Sequence, residues 1–469
     1  MSQGYPVKRL RFSLGVGIFL AAFGTSSANV ALPQLADDFA MLFASVQWVV
    51  LAYLLTITVL IVIVGRLSDI YGAKRLLQGG VLVFAAASVA CAYSEQFGQL
   101  LAARAVQGIG AAILMSLCMA LVPKVAPADQ APRWIGFLAS MSAVGTALGP
   151  ALGGVLLELL DWRALFFLNV PFAMLAWFGF YQYLPADHQR PVPNQRFDWH
   201  GAGLLAAALM CYALTMTVAQ QWWLWSLTAT LVFALLFVGQ QQRIARAAAQ
   251  DPLQRQPLLR MSLFRQSTLR SGFLLNFLVM TVMMTTLVVG PFYLATALGL
   301  SALQVGAVMA LGPLITASTA LPLGSMVQRF GSQSVMNAAL LWMTAGAFAL
   351  TVAPQQLGLP GYLGAFVLLT LGYATFQTSN NSAVMAAARA DERGVIAGLL
   401  HLARNLGQLT GAALMGAVFA WAAGSQQLQL ASALQLHHAL AVTFACGGLL
   451  LLAATLRCLW PNANKAPTD

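Results

Sequence analysis

Along the chain, apolar runs of about 20 residues or longer alternate with short polar breaks, and this pattern fixes the class of protein before any single residue is considered. A helix needs about 20 mainly apolar residues to cross the hydrocarbon layer of a bilayer. Runs of that kind fall near 12–33, 45–64, 76–94, 98–122, 132–157 and 164–184. Two more follow near 201–219 and 223–241, and six near 271–295, 302–325, 333–353, 360–385, 394–422 and 437–459. The pattern predicts an all-α membrane protein with fourteen transmembrane helices. Six form a first half (1–184), two lie in a linker (185–245), and six form a second half (246–469).

The breaks carry the charge. If the N-terminus is cytoplasmic, 21 of the 24 Lys and Arg fall in cytoplasmic segments, Arg163 lies outside, and Arg104 and Arg404 lie within spans. A wrong span count would scramble this parity, so the positive-inside bias supports the even count and cytoplasmic termini. With 59% hydrophobic and 8% charged residues, the composition excludes a soluble globule. The net charge of +11 reports orientation in the bilayer and not nucleic-acid binding, because the basic residues sit between apolar runs and not on one wet face.

The sequence also repeats itself. A shift of 262 positions lays Gly136, Gly145, Gly149 and Gly154 of the fifth span on Gly398, Gly407, Gly411 and Gly416 of the thirteenth. Gly65 and Gly72 likewise reappear as Gly324 and Gly331. Two related halves facing a central site is a plan used by secondary transporters.

The break between the second and third spans reads Gly65-Arg66-Leu-Ser-Asp69-Ile-Tyr-Gly72-Ala-Lys74-Arg75. It resembles the signature loop of the major facilitator superfamily. The small-residue face Gly145, Gly149, Pro150, Gly153 and Gly154 resembles the fifth-helix motif associated with antiporters in that superfamily. The stretch from Asp161 to Pro171, the segment Trp48 to Tyr53, and Pro291 to Ser301 are similar to the fourteen-span drug:proton antiporter family. This resemblance implies the superfamily's fold, alternating access and multidrug efflux coupled to protons, in a bacterial inner membrane. It also implies that the Gly65–Arg75 loop acts as the gate, with Asp69 latching the outward-open state, and that Arg104 acts in proton coupling. Small-molecule substrates, protons and the bilayer are the expected partners, and a monomer the expected working unit; the alternative is a carrier dedicated to one metabolite or organic anion.

An ionised side chain within a span is costly unless paired or wetted, which makes Arg104 and Arg404 candidates for function. A structural role for Arg104, bonded to nearby carbonyls, stays open. His401 precedes Arg404 by three residues and shares its helix face. A histidine there either titrates near neutral pH or is held neutral in the bundle. Asn29, Trp48, Tyr53, Asn276 and Met280 complete the candidate substrate cavity.

One departure matters. Family members carry an aspartate in the first span ahead of the Asn-Val-Ala-Leu-Pro stretch; here Asn29 to Pro33 is intact, but the acid's place is taken by Gly24. None of the 13 Asp and Glu falls inside a predicted span, so the central field is expected to be positive and to favour neutral or anionic substrates over dications. No enzyme is expected: G-x-S-x-G, H-E-x-x-H and phosphate-loop patterns are missing. No cofactor or metal is expected either, the adjacent His437 and His438 being only a weak metal signal.

Overall fold

The structure, a computed structural model, describes residues 7–127, 130–185, 198–217, 223–250, 258, 263, 265–388, 393–425 and 428–459. All the regular elements among them are helical. The first half contains α1 (Val7–Asp38), α2 (Phe43–Val46), α3 (Trp48–Tyr71), α4 (Ala73–Ala92), α5 (Phe97–Val125), α6 (Ala131–Leu159) and α7 (Trp162–Tyr183). Then come α8 (Trp199–Thr217) and α9 (Trp223–Gln250). The second half contains α10 (Ser267–Phe292), α11 (Ala302–Phe330), α12 (Ser332–Leu357), α13 (Leu359–Ala387), α14 (Arg393–Thr410), α15 (Gly416–Ala423) and α16 (Ala433–Leu459).

Thirteen helical stretches are long and apolar enough to cross a membrane, and a shorter apolar helix covers Trp199–Thr215. Against the predicted fourteen, thirteen helices reach spanning length and Trp199–Thr215 falls short of it; residues 218–222, beyond α8, lie outside the described set. Wider π-type turns at Tyr293–Ala297 and Gly411–Met415 extend α10 and join α14 to α15. The loop expected over Gly65–Arg75 is shorter than its polarity suggests. Helix α3 continues through Tyr71, and only Gly72, at φ 87°, breaks it before α4. Gly331 does the same between α11 and α12 at φ 81°. Positive φ of this kind is open to glycine and strained for other residues.

Three of the four glycine coincidences have a packing cause, whereas Gly136 and Gly398 have open space around them. A β-carbon on Gly145 would lie 2.5 Å from the carbonyl oxygen of Phe19, and one on Gly407 would strike the carbonyl of Phe277, so each seats its helix on the first helix of its own half. Gly149 and Gly411 do likewise against Ser26 and Thr281. Gly154 and Gly416 instead cross to the other half, Gly154 onto Ala302 and Gly306 of α11, and Gly416 onto Gln47. Close backbone approach of this kind needs small residues.

The first half divides between two apolar cores. Leu35, Phe43, Val50, Leu54, Leu100 and Phe166 merge with Val289, Phe292, Phe419 and the rest of the second half. Leu14, Leu20, Ile57, Leu77, Val81, Leu117, Trp134 and Phe180 form a separate core made only of first-half residues. The merged region is at the end of the bundle far from Val7, which we term the far face. The separate core is at the N-terminal face. Across the far face Phe43 meets Phe292 edge-on at 4.6 Å and Phe419 at 5.9 Å, and Glu158 Oε2 accepts from the amide of Leu303 at 3.4 Å. The halves are joined there, and α3 also packs against α14 and α1 against α10.

Helices α8 and α9 pack on each other and lie beside α3 and α14. Their clasp is Asp198, buried at the start of α8. Its carboxylate accepts from the amide of Gly201 at 2.9 Å, from Gln240 Nε2 at 3.2 Å and from Gln241 Nε2 at 2.9 Å.

Candidate functional site

Where the two cores of the first half meet, a polar layer crosses the bundle, and Arg104 is its centre. The side chain is fully buried. Its Nε donates to the carbonyl of Val49 on α3 at 2.9 Å, and Nη1 donates to the carbonyl of Gly24 on α1 at 3.1 Å and to Gln107 Oε1 at 2.5 Å. Gln107 Nε2 passes the chain on to Ser88 on α4 at 2.7 Å, whose hydroxyl donates to the carbonyl of Phe84 at 2.7 Å. The guanidinium carbon stands 4.2 Å from the centroid of the Tyr53 ring, and the Tyr53 hydroxyl donates to the carbonyl of Ala21 at 2.9 Å. One cation thus ties α1, α3 and α5 together.

No carboxylate balances it. Arg163 does pair with Asp161 at 3.7 Å, but outside this layer. Carbonyl dipoles and a π face hold the charge instead, a weaker arrangement than a paired carboxylate in a low-dielectric site. Gly24 shows why the acid is missing. A β-carbon there would lie 2.9 Å from Phe84 Cζ and 3.2 Å from the Tyr53 hydroxyl, so two rings occupy the space a carboxylate would need.

The second half contributes a different surface. His401, Arg404 and Gln408 recur at three- and four-residue spacing and form one stripe on α14. His401 and Arg404 are half-buried, and Arg404 Nε and Asn405 Nδ2 are buried without a hydrogen-bond partner. Around the helix, Gly407 seats against Met280 on α10. Asn276 donates from Nδ2 to the carbonyl of Leu400 at 3.0 Å, fixing α10 to α14. On α13, Gln377 Nε2 donates to the Tyr373 hydroxyl at 3.0 Å and lies 3.7 Å from Met280 Sδ.

The remaining sequence candidates take up varied places. Asn29 is buried, donating to the Thr25 carbonyl at 3.2 Å with its Oδ1 unpartnered. Trp48 packs against the far-face core. Tyr53 belongs to the Arg104 layer. Gly65 has open space around it, and Gly153 has ordinary van der Waals room. Pro150 presents its carbonyl to Gly306. Lys74 reaches from the gating segment to the end of α7, donating to the carbonyls of Tyr181 at 3.0 Å and Leu184 at 2.6 Å, while Arg75 is exposed. The side chains of Arg66 and Asp69 lie outside the described set. His437 bonds through Nδ1 to the Tyr293 hydroxyl at 2.9 Å, and no group of three metal-binding side chains occurs among the described residues.

In the comparison with known families, residues 14–412 fit the Major Facilitator Superfamily. The chain belongs to that superfamily. Among its relatives in the superfamily is the riboflavin transporter RibZ of Clostridioides difficile, 28% identical over 86% of this chain and 86% of the relative. Another is the tetracenomycin C resistance and export protein of Streptomyces glaucescens, 27% identical over 89% of this chain and 77% of the relative. Its fold is that of a bacterial homologue of the human lysosomal transporter Spinster in an inward-facing, unoccupied conformation: TM-score 0.66, 15% identity, 96% or more of each chain, at 99% of this one and 100% of the other.

Sequence reasoning had no means of giving this superfamily member its Phe84, Ser88 and Gln107, whose roles come from what they touch. Tyr373 and Gln377 were accessible in principle, as two polar residues four apart inside an apolar span.

Proposed function

We propose that this transporter exports neutral or weakly acidic lipophilic compounds in exchange for protons, by alternating access, from a bacterial inner membrane with both termini cytoplasmic. The observation that carries the reading is the pair of arginines within spans, Arg104 and Arg404, one in each half, with no acid inside any predicted span. Such a field repels dications and accepts compounds rich in carbonyl or acidic oxygen. The Gly154–Gly306 crossing is then the contact on which the halves rock. The names of export proteins among the relatives support this direction of transport.

Of the two coupling candidates, Arg104 acts as a charge held by backbone carbonyls, and His401, on the same face of α14 as Arg404, is the proposed proton carrier. The gating role falls to Gly65, Arg66, Asp69, Gly72, Lys74 and Arg75, with Lys74 coupling the segment to α7. A single chain is the working unit.

The test is efflux of a panel of neutral, anionic and dicationic compounds from proteoliposomes under an imposed proton gradient, with and without an uncoupler, beside Arg104→Ala and His401→Ala. Uncoupler-sensitive export of neutral and acidic compounds, lost or weakened in the variants, is expected. Dications as the best substrates, or unchanged efflux in both variants, refutes the assignment. A carrier dedicated to one metabolite is the second reading, supported by the resemblance to a riboflavin transporter; a response confined to one compound of the panel favours it.

A further inference from the structure

The geometry points to Tyr373 and Gln377 as a reader of one neutral chemical feature, an amide or imide edge on a flat lipophilic substrate, with Met280 beneath its plane. The inference rests on the transport reading above and narrows its substrate class.

Hydrogen-bond arithmetic gives the pair its character. Gln377 Nε2 donates to the Tyr373 hydroxyl at 3.0 Å. The Met280 thioether, 3.7 Å from the same nitrogen, is an acceptor only, so it sets which way round the amide lies. The Tyr373 oxygen has therefore spent a lone pair on Gln377 and keeps its own hydrogen to give away. Gln377 has engaged its NH2 group and keeps its carbonyl oxygen to accept. One donor and one acceptor are left side by side, on residues one helical turn apart.

The complementary ligand edge carries an acceptor beside a donor, which is the C=O and N–H of a cis-amide or imide. Both side chains are half-buried in the middle of α13, where Tyr373 borders the merged core. Met280 joins them to α14, since it also packs against Gly407, one turn from Arg404. The arrangement offers no charge of its own, and Arg404 lies on the next helix, α14. A flat neutral ring system fits the thioether and the tyrosine face.

The test uses the full-length protein in detergent with two fluorescent probes, 1,8-naphthalimide and its N-methyl analogue. They share a flat ring and both carbonyls, and only the first has the imide N–H. The dissociation constant is measured for each in the unmodified protein, in Tyr373→Phe and in Gln377→Met. The expected result is about tenfold tighter binding of the N–H compound, the worth of one satisfied hydrogen bond. That preference should fall to about onefold in Gln377→Met, which removes the acceptor for the imide N–H, while Tyr373→Phe should weaken both probes alike, because both keep the carbonyl that its hydroxyl serves. Affinity for the N-methyl probe should stay unchanged in Gln377→Met, which also reports that this variant is folded. Equal binding of the two probes by the unmodified protein, no binding of either, a preference that survives in Gln377→Met, or N-methyl binding unchanged in Tyr373→Phe overturns the inference. Proton-driven efflux of the same probes keeps the two failures apart. Export without discrimination removes the Tyr373–Gln377 reader and leaves the transport reading standing, while absence of any proton-driven export of the wider panel removes the transport reading itself.

Discussion

Arg104 Nη1 donates to the carbonyl of Gly24 across 3.1 Å, at the position where the family resemblance implies an aspartate. The backbone oxygen does part of what a carboxylate would do, and Phe84 and Tyr53 fill the remaining volume. Restoring the acid should therefore fail. Gly24→Asp is expected to lower stability by about 1–3 kcal/mol through overpacking, seen as a lower midpoint in thermal unfolding. It should give no gain in export of a dication such as propidium. A stable variant that pumps dications would show that the space is available after all.

A lysine cannot stand in for the guanidinium. Arg104 serves the carbonyls of Gly24 and Val49 and the Gln107 amide from a planar fork, which a point-like ammonium does not reproduce. Arg104→Lys should reduce transport at least tenfold in proteoliposomes and lower the melting temperature, although the formal charge is kept. Near-normal transport would mean that charge alone matters at this site.

Glycines of the repeat divide into those that touch and those that do not. Gly136 has open space around it, so Gly136→Ala should be neutral or stabilising by about 0.5–1 kcal/mol, the helix preference of alanine over glycine. Gly154→Leu places a side chain against the backbone of α11 and should hold the far face open. The measurement is labelling of Phe43→Cys by a membrane-impermeant thiol reagent, expected to rise in the Gly154→Leu background while transport falls. Unchanged labelling would separate the crossing from closure.

Asp198→Ala leaves the amides of Gln240 and Gln241 and the first turn of α8 without their acceptor. A loss of about 1–3 kcal/mol is expected for unpaired buried polar groups, with Asp198→Asn milder. Urea or thermal unfolding monitored by tryptophan fluorescence checks it.

Much of the architecture was legible in the sequence because lipid imposes a simple rule: a spanning segment must be long and apolar. The span pattern, the repeat and the superfamily resemblance all follow from features that survive in one dimension. The signature segment was harder, since its charges suggest a wet loop while helix α3 runs on to Tyr71 and Gly72 alone makes the turn. The Arg104 layer was half legible. A buried arginine announces itself, but its partners Gly24 and Val49 act through carbonyl groups that every residue has, and Phe84 matters by the volume it fills. The Tyr373–Gln377 pair was hidden for another reason: its meaning depends on the direction of one amide, which only the neighbouring thioether reveals.

Gly154 and Gly416 occupy equivalent places in the repeat, yet they meet unlike surfaces, backbone at Gly306 and the buried carboxamide of Gln47. The first seam has no rotamers to rearrange and slides with little friction. The second must lift and reseat Gln47 whenever it parts, so it works as a catch, and the two sides of the molecule are not expected to separate in step. Opening toward the far face would begin along α6 and α11 and finish only when Gln47 lets go.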